Sequence, residues 1–235
     1  MQTQIVSLTY PWLRAGLLAL VVFVVSAGYL WARRWGASFD AVLYKISFAG
    51  LATTGTFLLA YSYAVGPCAR FFPSVFVSRL QMRKYYGLLG YWVIVAHVFW
   101  ALATFGPKRY PKFFVDGEFT ATTVLSLSLG IIAFVLFSLV AFTSMKGIAS
   151  NMSEGAWKIT QRVGYLGLSV ALVHFSIIKY EGWVDISTWP FLPADYFSFL
   201  SVIPLPPLSL LLFLFIVLVF VLRGLTIIYP KNASV

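Results

Sequence analysis

Long apolar stretches alternate with shorter polar segments along the whole chain. A helix that crosses the hydrocarbon core of a bilayer needs about 20 mostly apolar residues. Six stretches reach that length, and they predict helices at about 12–32, 41–65, 86–105, 120–143, 160–180 and 205–228. The pattern therefore predicts an all-α fold: an integral membrane bundle of about six transmembrane helices, forming a single domain over residues 1–235.

The first apolar stretch, LRAGLLALVVFVVSAGYLWA, also has to be compared with a signal peptide. It is longer than the apolar region of a signal peptide, and it ends in Trp31, Arg33 and Arg34 without an A-x-A cleavage site. We therefore predict that this stretch remains in the protein as a membrane helix.

Composition excludes several classes of protein. Hydrophobic residues make up 60% of the chain and charged residues only 10%, whereas soluble domains carry about 25% charged residues. Any chemistry must therefore take place within the membrane bundle. The single cysteine, Cys68, excludes an internal disulfide and a site in which several cysteines hold zinc or an iron–sulfur cluster. Neither a nucleophile with a paired base, nor a pair of carboxylates, nor a phosphate-binding loop is recognisable.

The formal net charge of +10 would suggest a nucleic-acid partner in a soluble protein. Here the lysines and arginines lie almost entirely between the apolar stretches, where they orient the chain, so we expect no nucleic-acid partner. Most of them fall on the N-terminal side of the predicted bundle together with one acid, Glu154, and the remaining acids fall on the opposite side. The positive-inside rule then predicts that both termini are cytoplasmic.

The longest connection, EGWVDISTWPFLPADYFSFLSVIPLPP, joins the last two predicted helices. Its prolines and aromatic residues are typical of a segment at the membrane–water interface. Because it directly follows the helix that carries His174, two interpretations stay open. The segment is either a flap over a site near the outer surface or a connector that rests on the lipid headgroups.

Two histidines, His97 and His174, lie within the third and fifth predicted helices. An ionisable side chain at membrane depth is costly and usually has a function or a partner. At about 1.5 Å per residue, His97 lies roughly 12 Å from the outer end of its helix and His174 roughly 9 Å. Both helices run in the same direction, so the two histidines are predicted to lie at a similar level and to be able to face each other.

Each histidine is preceded by the same glycine pattern, G-x-x-G-x6-H. Gly90 and Gly167 stand seven residues before His97 and His174, which is nearly two helical turns and places them on the histidine faces. The missing side chains would leave room for a flat, bulky group, and haem held by two histidines is the obvious candidate. The alternative is that the glycines mediate close helix contact and the histidines are hydrogen-bonded packing residues.

Several blocks between about residues 45 and 180 resemble the ferric reductase-like transmembrane domain family. They are AVGPCARF, LQMRKYYGLLGYWVIVAHVFWAL, FTSM and WKITQRVGYLGLSVALVHFSIIKY. They are similar to the family's small-residue-Pro-x-Arg turn, its R-R-x-x-G helix with a histidine, its Thr-Ser helix end, and its W-x-x-x-H-R-x-x-Y helix with a second histidine. Within the family, the resemblance is strongest to the haem-binding membrane subunit of the bacterial methionine sulfoxide reductase system.

The resemblance implies that His97 and His174 are the ligands of a b-type haem. Many family members stack a second haem with another pair of histidines nearer the cytoplasm, but this chain has Arg83 and Gln161 at those positions. We therefore expect one haem b, with two as the alternative. The resemblance also implies location in the bacterial inner membrane, and electron transfer to an extracytoplasmic reductase subunit, for which the molybdopterin type is one option.

A single outer haem leaves the cytoplasmic half of the membrane without an electron carrier. If a cytoplasmic flavin reductase is the donor, a second cofactor such as FMN would be needed near the inner mouth, where phosphate-pairing charges are available from Arg79, Arg83, Lys84, Lys158 and Arg162. A quinol donor would need no such cofactor. The same basic residues are also explained by the positive-inside rule alone.

The leading hypothesis is thus an electron-transfer subunit of an oxidoreductase system; whether the chain itself is an enzyme stays open. A small transporter or proton-conducting bundle would use His97 and His174 as relay residues. That alternative predicts buried carboxylates and broken helices, and no Asp or Glu lies at the centre of a predicted helix. A haem-dependent sensor or assembly factor would be expected to carry a soluble output domain, and these residues predict none.

Overall fold

The computed structural model describes residues 2–193 and 203–229, and the side chains from Tyr10 onward within those ranges. Its eight α-helices are α1 Gln2–Ala32, α2 Phe39–Phe71, α3 Pro73–Phe76, α4 Arg83–Thr104, α5 Ala121–Thr143, α6 Lys146–Ala149, α7 Glu154–Val184 and α8 Leu208–Ile228. Short 3-10 helices cover Val77–Met82, Pro111–Phe113 and Ile186–Thr188. The strands β1 Phe114–Val115 and β2 Glu118–Phe119 form one small antiparallel hairpin.

Six of these helices are long and apolar enough to cross a membrane, with α3, Val77–Met82 and α4 counted as one continuous span. Large apolar side chains cover their outer surfaces; Leu102 and Phe99, for example, are 70% and 69% exposed. Such extensive apolar exposure is unfavourable in water and is typical of a surface that contacts lipid. The predicted all-α membrane bundle of six helices is confirmed.

The helices extend beyond the apolar stretches that predicted them. The fifth membrane helix, α7, begins at Glu154 because the hydroxyl oxygen of Ser153 accepts a hydrogen bond from the backbone N–H of Ala156, at 3.2 Å. Thr120 caps α5 in the same way, through the N–H of Thr123 at 3.1 Å. Hydropathy locates the part of a helix that lies in lipid, whereas the helix itself continues through polar residues until a cap ends it.

The long helices associate as two closely packed pairs, α2 with α4 and α5 with α7, and contact between the pairs is smaller. The helix α2 is central, since it also packs against α1 and α8. The common core includes Ala60, Leu168 and Ile216, all fully buried. We name the end of the bundle at which α1 begins the inner end and the opposite end the outer end; its assignment to the cytoplasm stays a prediction.

Candidate functional site

The two histidines lie in the outer halves of α4 and α7. Both His97 and His174 are half-buried. His97 belongs to the α2–α4 pair and His174 to the α5–α7 pair, so the two rings come from opposite pairs of the bundle.

The ring of His97 is held by α2. Its Nδ1 atom lies 3.2 Å from the backbone carbonyl oxygen of Phe48. The phenyl ring of Phe48 packs against the imidazole, with 4.7 Å between ring centroids. A carbonyl oxygen can only accept a hydrogen bond, so Nδ1 carries the proton and, in the neutral ring, Nε2 has a free lone pair.

The ring of His174 is held in the same manner by α5. Its Nδ1 atom lies 2.6 Å from the carbonyl oxygen of Ser126 and 3.1 Å from the hydroxyl oxygen of that residue. Ser126 is fully buried. The Nδ1 atom again donates to a carbonyl, which leaves the Nε2 lone pair available. Two different helices therefore fix both imidazoles in the same tautomer.

This tautomer is the one that metal-bound histidines commonly have, with one ring nitrogen donating to a carbonyl and the other binding the metal. No hydrogen bond to Nε2 of either histidine occurs among the described residues. Within the same residues, no group of three or more His, Cys, Asp or Glu side chains forms a metal site. Axial ligation of a haem iron needs only two histidines.

The structure corrects the reason for singling out Gly90 and Gly167. A Cβ atom at Gly90 would lie 2.9 Å from the backbone nitrogen of Leu59, so this glycine permits the close approach of α2 and α4. A Cβ at Gly167 would lie 3.0 Å from the ring of Phe137. The expected open space at both glycines is filled by neighbouring helices, as the close-packing interpretation anticipates. Their contact with a bound cofactor stays a prediction.

A different glycine, Gly130 in α5, contacts a histidine directly. A Cβ at Gly130 would lie 3.0 Å from Cε1 and 3.1 Å from Nδ1 of His174. Gly130 and Ser126 are four residues apart and share a helix face, and together they form the surface on which the imidazole rests. Sequence reasoning missed both residues. The available signal was a serine and an isolated glycine at helical spacing in an otherwise apolar stretch.

An aromatic cluster formed by α2 and the α4–α5 connection contacts His97 through Phe48. The ring of Tyr110 packs on Phe48 at 5.5 Å, and its hydroxyl lies 2.5 Å from that of Tyr44. The guanidinium of Arg109 lies over the Tyr44 ring, 4.8 Å from its centroid. Burial and the Tyr44 hydrogen bond raise the pKa of Tyr110 to about 12, so this hydroxyl stays protonated at physiological pH.

The long connection between α7 and α8, predicted to be either a flap or a connector on the headgroups, is described only in part, because residues 194–202 lie outside the described ranges. The part that directly precedes α8 contacts the outer end of α1. The hydroxyl of Tyr29 donates to the carbonyl of Pro206 at 2.6 Å, and Nε of Arg33 donates to that of Leu205 at 3.1 Å. Burial lowers the pKa of Arg33. Whether the segment covers the histidines stays open.

The inner half of the bundle contains a cavity of about 620 Å³ between the two helix pairs. We name it the inner cavity. Its apolar wall includes Leu88, Tyr91 and Phe137. Its polar wall includes four of the five basic residues singled out from the sequence and also Gln161; those four are Arg83, Lys84, Lys158 and Arg162. The inner half, which the sequence predicts to lack an electron carrier, thus contains a cavity.

The fifth basic residue, Arg79, is directed elsewhere. Its Nη1 atom donates to the hydroxyl of Tyr61 at 3.2 Å, and it does not line the inner cavity. The amide of Gln161 donates to the hydroxyl of Ser144 at 3.0 Å. The side chain of Gln161, which stands where the resembled family has a haem-binding histidine, thus bonds to a neighbouring serine.

Comparison of the chain with protein-family models and with curated proteins finds no match in either.

Proposed function

We propose that the chain is a membrane electron-transfer protein in which His97 and His174 hold one b-type haem between α4 and α7. The observation that carries the proposal is the matched state of the two imidazoles. In each, Nδ1 donates to a backbone carbonyl of a neighbouring helix, and Nε2 is left as a ligand atom. A histidine that only packs between helices can have either tautomer. Two axial ligands of one haem iron, in contrast, must each keep a ring nitrogen with a free lone pair, and both rings here do so.

The protein's contribution is to fix the ligands before the cofactor binds. The carbonyls of Phe48 and Ser126 set the orientation of the two rings, and Gly130 allows the His174 ring to lie against α5. Hydrogen bonds from Nδ1 to neutral carbonyls and the apolar surroundings would tune the affinity and the potential of the centre. When bound, haem supplies an iron that accepts and returns one electron at a time.

We propose a donor on the cytoplasmic side, either a flavin reductase that passes electrons to an FMN near the inner mouth of the bundle or a quinol from the membrane pool. The inner cavity supports this part of the proposal, because its Tyr91 and Phe137 side chains offer aromatic surface for a planar ring. The acceptor would be an extracytoplasmic reductase subunit, with the molybdopterin type as one option. This arrangement requires the bacterial inner membrane, with both chain termini in the cytoplasm, and substrate chemistry on the partner.

The test is an absorption spectrum of the protein purified from haem-sufficient cells, first oxidised and then reduced with dithionite. A Soret band with the sharp visible bands of low-spin haem b is expected. Acid–acetone should extract the pigment, because the chain has no C-x-x-C-H attachment motif. A preparation without a Soret band would overturn the proposal, and proton conduction through reconstituted vesicles would then be the next measurement.

A further inference from the structure

A second cavity, of about 340 Å³, lies at the inner end of the bundle. Its volume is at the lower end of the range of small-molecule sites. Four arginines line it, each from a different membrane helix: Arg70 from α2, Arg83 from α4, Arg162 from α7 and Arg223 from α8. We name it the arginine pocket.

Among the described residues, no acidic side chain neutralises the positive charge of the arginine pocket. No Asp or Glu lines it, and the salt bridge of the described residues joins Lys158 to Glu154 at another position. Like charges gathered in a partly enclosed space repel one another. An anion bound between the guanidinium groups would attract each of them and so offset their mutual repulsion.

Neutral acceptors position three of the four arginines, Arg70, Arg83 and Arg223, and use few of their donors. The Nη1 atom of Arg70 donates to the carbonyl of Thr226 at 2.9 Å, and Nε of Arg83 donates to that of Ser62 at 3.0 Å. Nη1 of Arg223 lies 3.4 Å from the Thr226 hydroxyl. Each guanidinium has five N–H donors, so most remain available to a ligand.

Membrane topology alone does not account for this convergence. The positive-inside rule requires basic residues near the inner ends of helices, not their collection in one cavity. Other inner basic residues lie outside the pocket. Arg14 contacts the ring and hydroxyl of Tyr10, and Arg79 donates to Tyr61. These residues satisfy the topology rule without forming a site.

The chemistry of the lining matches a phosphate group. Guanidinium forks bind phosphate oxygens in pairs, and four guanidinium groups line this pocket. The pocket shares four residues with the inner cavity, namely Tyr63, Arg83, Gln161 and Arg162. The two spaces therefore adjoin, and a ligand with a phosphate in one could extend its remaining part into the other.

We infer that the arginine pocket binds the phosphate group of a ligand whose body occupies the adjoining inner cavity. This inference rests on the donor site proposed for the inner cavity but does not depend on haem binding. The phosphate has two possible sources, a soluble phosphomonoester or the headgroup of an anionic phospholipid.

The experiment uses the full chain in nanodiscs of phosphatidylcholine, with inorganic phosphate as the soluble probe. Binding is measured by calorimetry and by thermal unfolding, since a ligand of the folded state raises its stability. Arg162→Gln and Arg223→Gln should each weaken phosphate binding by about tenfold or more, given the strength of charge-assisted bidentate bonds. Arg162→Lys, which keeps the charge but loses the fork, should fall between wild type and Arg162→Gln.

The matched control is Arg14→Gln, which removes an inner arginine outside the pocket and should leave phosphate binding within about twofold of wild type. Circular dichroism and size-exclusion profiles establish that each variant is folded. Nanodiscs that contain phosphatidylglycerol distinguish the two sources. If the protein retains phosphatidylglycerol, if this retention requires Arg162 and Arg223, and if phosphate displaces the lipid, the site binds a lipid headgroup. If phosphate binds equally well with and without this lipid, the site binds a soluble ligand. Equal behaviour of the pocket variants and Arg14→Gln towards both probes would overturn the inference.

Discussion

In the outer half of the bundle, the Nδ1 atoms of His97 and His174 donate to backbone carbonyls, and the surroundings are mainly aromatic and aliphatic. In the inner half, the same two helix pairs enclose a cavity of about 620 Å³ with several cationic side chains on its wall. The outer half thus presents neutral lone pairs. The inner half presents an excess of positive charge, because Glu154 on the cavity wall pairs with Lys158 alone among the described residues.

This difference indicates that one four-helix framework offers two chemically distinct sites in series. Neutral imidazole nitrogens suit a metal ion, whereas guanidinium groups cannot donate a lone pair and suit an anion. Arg83 and Gln161 stand where the family that the sequence resembles has its inner histidines. Under our proposals, the inner half would bind an anion in place of a second metal.

The largest expected effect comes from removing the outer ligands. His97→Ala and His174→Ala should each abolish low-spin haem, because no other histidine exists to replace the missing ligand. The spectrum of each purified variant is the measurement. The control is Gln161→Ala in the inner half, which should retain most of the haem. Equal loss of haem in Gln161→Ala and His174→Ala would show that the two halves do not differ as proposed.

A second variant tests whether the inner half can be converted to the chemistry of the outer half. The double change Arg83→His with Gln161→His supplies two imidazoles beside the inner cavity and should raise the haem-to-protein ratio from about one towards two. Pyridine haemochrome assays against protein mass measure this ratio.

The single change Gln161→His is the control for this conversion, and it should leave the ratio near one, since Arg83 stays protonated and cannot bind iron. A wild-type ratio already near two would contradict the assignment of a single haem, because the inner half would then hold iron by ligands other than histidine pairs.

A smaller effect is expected from Gly130→Ala, which sharpens the description of the outer half. The added Cβ would lie 3.0 Å from the His174 ring, and overpacking of this kind costs about 1–3 kcal/mol. The imidazole should shift and haem should dissociate faster, as measured by transfer to apomyoglobin. The control is Gly28→Ala, where the Cβ meets nothing within 4 Å and helix stability should rise by about 0.5–1 kcal/mol. Identical haem dissociation rates in the two variants would show that Gly130 does not support the ligand.

The smallest effect is expected from Ser126→Ala. Its hydroxyl lies 3.1 Å from Nδ1 of His174, but the carbonyl of the same residue, at 2.6 Å, remains. The change should cost no more than about 1 kcal/mol of haem affinity and shift the midpoint potential slightly. Ser138→Ala, on the same helix but bonded to Tyr91 and Phe134, should leave the potential unchanged. Complete loss of haem in Ser126→Ala would mean that the hydroxyl, not the carbonyl, orients the ring.

Much of this molecule could be predicted from the pattern of residues alone. Six apolar stretches predicted six membrane helices because the thickness of the bilayer fixes the length of a span. The ends of α2 and α7 were placed too far inward, since polar residues continue a helix after the hydropathy signal has ended. His97 and His174 stood out because an ionisable group is rare at membrane depth.

What the sequence determined was therefore the number of spans, the two unusual side chains and the distribution of charge. Only the tertiary structure decided which groups meet. Three findings depend on contacts between distant segments of the chain. Phe48 and Ser126 orient the imidazoles, Gly90 packs against α2 while Gly130 packs against His174, and four arginines line one cavity. A local pattern specifies the face on which a residue lies, but the helix that packs against that face is set by the arrangement of the whole bundle.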